Sequence, residues 1–171
     1  MKNQQFFRRA TAVAAAAAGL VAAAGCGGGQ AALPVTDTTW QITGVYTELD
    51  NPPQLPDDTA GKALLVFDGQ GMVGNTGCGQ FRAATTLRKD TSADQPQRFV
   101  VSVTDPVFQP VDCTGAARFF HDRIAGFFSS GQYLLTRDGS RALLLTPAPG
   151  PDAQPEDALT RNALRLVAPG G

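Results

Sequence analysis

The chain has 171 residues, with 14 Lys and Arg against 15 Asp and Glu, one His, three Cys and 43% hydrophobic residues. That is the length of one domain, and a net charge of −1 leaves no basic footprint of the kind a nucleic-acid partner requires. A single His and so few Cys argue against a metal site, which wants more ligands, and no cofactor is expected.

Residues 1–25 read as an export signal. Lys2, Arg8 and Arg9 form a basic head, and Ala10 to Ala24 is almost entirely Ala, Val, Leu and Gly. Small residues then precede Cys26, which is the anatomy of a secretory signal. The apolar run is short of the ~20 residues that a membrane span needs. Ala23-Ala24-Gly25-Cys26 resembles a bacterial lipobox, with Ala23 standing where Leu is preferred. The expectation is a lipoprotein signal over 1–25 and lipidation of Cys26, and two or more acyl chains are enough for stable anchoring. Arg8-Arg9 hints at twin-arginine export but is read here as an ordinary basic head. Removal of residues 1–25 takes away three bases and no acid, leaving 11 basic and 15 acidic residues, net −4. Such a surface has no electrostatic attraction to an anionic bilayer, so the lipid on Cys26 would be the anchor. The expected location is the extracytoplasmic face of the cell membrane.

Residues 26–37, with Gly27-Gly28-Gly29, read as the lipidated Cys and a flexible tether. The domain is placed at 38–168. Residues 39–46 alternate apolar and polar side chains and read as a first strand, with Trp40 a core anchor. A loop rich in Pro and Asp follows over 51–58.

Leu64-Leu65-Val66-Phe67 is a continuous apolar run, turned by Asp68-Gly69-Gln70-Gly71 and leaving through Met72 and Val73, a strong hairpin signal. Gly69, Gly71 and Gly74 also match G-x-G-x-x-G, but Asn75-Thr76-Gly77-Cys78-Gly79 does not open a helix there. A dinucleotide site needs one. The glycines fit a tightly curved sheet better, at bulges and points of close backbone approach. Residues 82–88 continue this hairpin as a polar-alternating strand. Residues 99–104 form another strand, stopped by Asp105-Pro106.

One helix is expected over 115–129, capped by Thr114. Ala117, Phe120, Ile124, Phe127 and Phe128 share one stripe, and Arg118 and Asp122 form an i,i+4 pair on the other side. This helix should lie across a sheet. A second hairpin turns at Asp138-Gly139, and a last strand spans 163–167. About seven strands and one helix, without alternation of the two, make an α+β protein and exclude a doubly wound parallel sheet.

Cys78 and Cys113 are expected to pair in an oxidising compartment, pinning the glycine-rich hairpin to the segment before the helix. A thiol nucleophile or a metal ligand are the competing uses. His121, at the border of the apolar stripe, reads as a partly exposed surface residue. No nucleophile elbow is present, and the Asp residues sit among turns and caps, Asp57-Asp58 lacking a complete calcium loop. No catalytic residue is expected.

Trp40, Leu65-x-Phe67 and Gly74-Asn75-Thr76-Gly77-Cys78-Gly79-x-Phe81 together resemble the META (HslJ-like) domain family. Cys113 before the helix, Tyr133-x-Leu135 and Leu143-x-Leu145 extend the resemblance, which covers 38–147, or 38–168 with the last strand. It implies a small, strongly curved antiparallel sheet, like a cracked barrel, with one helix on it. It also implies an exported or lipid-anchored protein of stress tolerance, secretion or motility, with no established catalysis. The expected function is a monomeric, non-enzymatic envelope lipoprotein that binds an envelope protein partner or supports envelope stress tolerance. The alternative is a carrier of a small apolar ligand in the curved sheet. An enzyme built on Cys78, Cys113 or His121 ranks third.

Overall fold

The computed structural model describes residues 31–46, 60–91, 97–150 and 162–170. The export signal over 1–25 and Cys26 lie outside the described residues. The strands are β1 (Thr39–Tyr46), β2 (Ala63–Phe67), β3 (Met72–Thr76), β4 (Gln80–Lys89), β5 (Arg98–Phe108), β6 (Gly131–Arg137), β7 (Ala142–Pro147) and β8 (Ala163–Val167), with helix α1 (Gly115–Phe127) between β5 and β6. Every strand pairs antiparallel with its sequence neighbours, and β8 returns to β1. The sheet is therefore a closed barrel of eight strands. The count of about seven came from running 72–88 together as one arm. A turn separates β3 from β4, with Thr76 N–H donating to Gly79 O at 2.9 Å and Gly77 at φ 90°, a left-handed value that suits glycine.

Strand β5 does not stop at Asp105-Pro106. Arg82 pairs with Val107 and Ala84 with Thr104, so Asp105 and Pro106 together face Ala83. This is a β-bulge, with Asp105 at φ 49°. A bulge is one of the few places where a sheet tolerates a proline, because the extra residue needs no ladder donor.

The interior is filled. Trp40, Ile42, Leu65, Phe67, Leu135, Leu143, Leu145, Leu164 and Leu166 are fully buried, as expected of an eight-stranded barrel whose bore is just wide enough for side chains. Complete burial of each such side chain contributes about 1.5–3 kcal/mol.

Helix α1 leaves the end of β5 and returns at the start of β6, so it covers one end of the barrel rather than the face of an open sheet. It buries Phe120, His121, Ile124 and Phe127. Phe81 stacks on Phe108 at 5.0 Å and on Phe128 at 5.5 Å beneath it. Tyr133 Oη accepts from Ser129 N–H at 2.9 Å and donates toward the carbonyls of Phe127 and Ser129, fixing the helix C-terminus.

Residues 33–37 cover the opposite end. Composition groups them with the tether, yet Val35 is only 5% exposed. Trp40 Nε1–H donates to Val35 O at 2.9 Å, Asp37 N–H to Phe67 O at 2.8 Å and Leu33 N–H to Ser140 O at 3.2 Å. The guanidinium of Arg137 also donates to Leu33 O.

Candidate functional site

The Asp68 turn and the glycines that follow do structural work. Asp68 Oδ1 accepts from the N–H groups of Gln70 and Gly71, both at 2.7 Å, and Asp68 N–H donates to Gly71 O at 3.0 Å. A Cβ on Gly71 would run into the carbonyl of Ala83, and one on Gly74 would meet the Phe81 ring and the Leu64 carbonyl. The G-x-G-x-x-G match is a turn and a strand with its neighbours close against it.

Cys78 and Cys113 form a disulfide with Cα atoms 6.0 Å apart. It ties the β3–β4 turn to the chain entering α1. Both sulfurs are occupied with each other, so neither is a free thiol or a metal ligand here. Cys26, the expected lipidation site, lies outside the described residues.

His121 is buried, at 6% exposure, rather than on the surface. The reason is the closure of the barrel. A helix seated over an end turns more of its circumference inward than a helix lying on an open sheet. Its Nδ1 lies 2.8 Å from Oγ1 of the fully buried Thr76. That hydroxyl also accepts from Cys78 N–H at 3.3 Å and Gly79 N–H at 3.2 Å. The same hydroxyl is placed to donate to Gly79 O at 3.2 Å, so it joins His121, the N–H groups of the turn and the Gly79 carbonyl in one network. Burial lowers the His121 pKa from 6.5, Asp122 opposing and Arg118 adding to the shift. The cluster is a polar lock on the β3–β4 turn.

The acids are dispersed. Asp122 pairs with Arg118 across one helical turn at 2.8 Å, Asp90 with Arg98 at 2.6 Å, and Asp138 with Arg165 at 3.5 Å. Among the described residues no group of three or more His, Cys, Asp or Glu is placed to hold a metal ion. Asp57 and Asp58 lie outside them.

A hollow lies on the outer wall of the barrel. It has a volume of about 630 Å³ and is lined by residues of β1 to β5 and by Gln109 just past β5, most of them with outward side chains, Leu65 and Phe81 lying beneath. The ladder registers make one row of Thr39, Val66, Val73, Arg82 and Val107, each opposite the next. A second row holds Leu64, Asn75 and Gln80, with Gln109 beyond. Val73 is 46% and Val107 50% exposed. The result is an aliphatic floor carrying one cation and a rim of three amides. Arg82 has no ion-pair partner among the described residues.

Sequence reasoning passed over this groove. Its signal is the run Leu64-Leu65-Val66-Phe67 itself. Leu65 and Phe67 point inward and are buried, while Leu64 and Val66 point outward. A barrel strand with one solvent face should alternate apolar and polar. This one is apolar on both faces, and Val73 and Val107 continue the outward stripe.

Comparison of the chain with protein-family models, with curated proteins and with solved structures finds no match.

Proposed function

We propose that this chain is an exported, lipid-anchored envelope protein whose META-like domain binds a protein partner without catalysis, through the outer groove of the barrel. The observation that carries this reading is the pairing of a filled interior with an exposed aliphatic stripe. Trp40, Leu65 and Leu145 occupy the bore, and the stripe of Val66, Val73 and Val107 faces solvent. Contiguous apolar surface on a soluble domain marks an interaction site, and an apolar floor with a polar rim is the anatomy of a protein interface. The carrier alternative needs room inside the sheet, where side chains already stand. The enzyme alternative needs a free thiol or an accessible base, whereas Cys78 is bonded to Cys113 and His121 is buried and held by Thr76. The META resemblance is supported by the order of strands, glycine turn, disulfide and helix. Anchoring rests on the Cys26 motif.

Two measurements test the reading. Cys26→Ser should move the chain from the membrane fraction to the soluble fraction; a wild-type chain that is already soluble sinks the anchoring. Affinity purification after crosslinking in envelopes should recover a protein with the wild type and lose it with Val73→Asp/Val107→Asp, an exposed double change that leaves the fold intact. Equal recovery by both would remove the groove from the function.

A further inference from the structure

The outer groove has a chemistry that narrows its occupant. The strands forming its floor are all internal to a closed barrel: β2 lies between β1 and β3, β3 between β2 and β4, and β4 between β3 and β5. Their N–H and C=O groups are used in the ladders on either side, so no edge is open for strand addition, the commonest way a sheet takes up an extended peptide. A polyproline segment docks in grooves lined by exposed aromatic rings. Here the one aromatic lining residue, Phe81, is 3% exposed. Recognition must therefore come from side chains against aliphatic knobs, which is the helix-in-groove mode.

The dimensions agree. From Val66 to Val107 is three interstrand steps, roughly 14 Å. Two to three turns of helix cover ~11–16 Å, so aliphatic residues at i, i+3 and i+10 would meet Val66, Val73 and Val107, and the residue at i+7 would stand over Arg82. Charge then selects among such helices. Arg82 stands in the same row between Val73 and Val107, is exposed, and among the described residues is the one charged side chain lining the groove. Asp68 and Asp105 border a smaller hollow on the other side of Arg82 and make no ion pair with it among the described residues. A carboxylate arriving from the groove side would give Arg82 its partner next to apolar surface, where a guanidinium binds a carboxylate in bidentate fashion.

Resting on the partner-binding reading above, we infer that the outer groove receives an amphipathic helix of an envelope protein, presenting an aliphatic stripe with an Asp or Glu set against Arg82. The amides of Asn75, Gln80 and Gln109 then serve the polar flank of that helix. A lone acyl chain would leave all three amides unused and half its own surface in water.

The test uses the full chain in the cells it comes from, with a photo-crosslinking residue replacing Val73 or Val107 and, as control, the exposed Gln132 on the β6 wall. The expected result is a protein adduct at 73 and 107 but not at 132. It should map to one segment with aliphatic residues at helical spacing and an acid within a turn of them. Arg82→Glu should cut the adduct at least tenfold, Arg82→Lys should keep most of it, and changing the partner's acid to Lys should restore it in Arg82→Glu. A protein adduct that maps to a segment with no acid, or that is indifferent to Arg82→Glu, overturns this inference and leaves partner binding standing. Adducts only with lipid, only with a second copy of the chain, or no more than at 132 overturn both.

Discussion

Replacing Thr76 by Val exchanges a hydroxyl for a methyl of nearly the same shape and takes the centre out of the polar lock. Four groups lose a hydrogen bond: His121 Nδ1, the N–H groups of Cys78 and Gly79, and the Gly79 carbonyl, which keeps the Thr76 N–H. A buried polar group left unsatisfied costs about 1–3 kcal/mol. Cys78 and Gly79 are half-buried and can turn in part to water, so the expected loss is about 2–4 kcal/mol in total. Thr76→Ser is the control. It keeps the hydroxyl and gives up one buried methyl, about 1 kcal/mol. Urea denaturation of the oxidised chain at pH 8 should rank wild type above Ser above Val. Equal midpoints for the Val and Ser variants would refute the lock.

The same cluster makes a pH prediction with a definite sign. Folding lowers the His121 pKa below 6.5, chiefly by burial. Between the folded value and 6.5 the unfolded chain binds one proton more than the folded one, so stability rises with pH across that window, by at most ~1.4 kcal/mol per unit. His121 adds no penalty above 6.5. The penalty grows as pH falls through 6.5 and stops growing below the folded value. His121→Gln removes the titrating group, so its pH slope across that window should flatten. Denaturation midpoints at pH 8.0, 6.5 and 5.5 measure both slopes, and an equal slope in the variant would show that His121 is not its source.

Other substitutions probe separate parts of the barrel. Cys78→Ala/Cys113→Ala opens a loop spanning 35 residues of separation, for which the chain-entropy relation gives about 4 kcal/mol; a denaturation difference under 1 kcal/mol would show that the bridge is incidental. Gly74→Ala should cost about 2–3 kcal/mol, because its Cβ would sit 2.5 Å from the Leu64 carbonyl oxygen as well as against the Phe81 ring, and near-ultraviolet circular dichroism should report disturbance of the Phe81 stack. Gly126→Ala on the exposed side of α1 meets nothing within 4 Å and should stabilise by up to ~1 kcal/mol. Val35→Asp should cost more than ~2 kcal/mol by burying an unpaired carboxylate, whereas a change in a mere tether would be silent in the same melt.

Local features were legible where local rules decide them. Alternation in 39–46, the Asp68-Gly69 and Asp138-Gly139 turns and the stripe Phe120, Ile124, Phe127 each rest on contacts a few residues apart, and each appears in the fold. The cysteine pair was legible because only two partners remained after Cys26. What escaped depends on closure. Nothing in 82–88 tells that Gly77 breaks one arm into two strands. Asp105-Pro106 is a stop signal on an open strand but a bulge once Ala83 stands opposite. Val35 has a poor, glycine-rich neighbourhood in sequence and is buried only because the barrel presents an open end. His121 looked peripheral on an isolated helix, and lost its exposure when the helix was seated over Thr76.

Closure also bears on where the proposed binding surface lies. An open curved sheet has edges, and an edge strand offers its backbone to any extended partner. When β8 pairs with β1, that route disappears, and with it any way for the sheet to recognise a strand by main-chain hydrogen bonds. The bore is no substitute, since Trp40 and the leucines fill it. Outward side chains are what remains, and on most of the wall polar residues are enough for solubility. Val100, Leu134 and Leu144 are outward on β5 to β7 but half-buried, whereas the wall of β2 to β5 holds Val73 and Val107 outward at 46% and 50% exposure on either side of Arg82. An aliphatic stripe in that position adds nothing to the core and raises the hazard of association, and this is the cost that the proposed partner would offset by covering it.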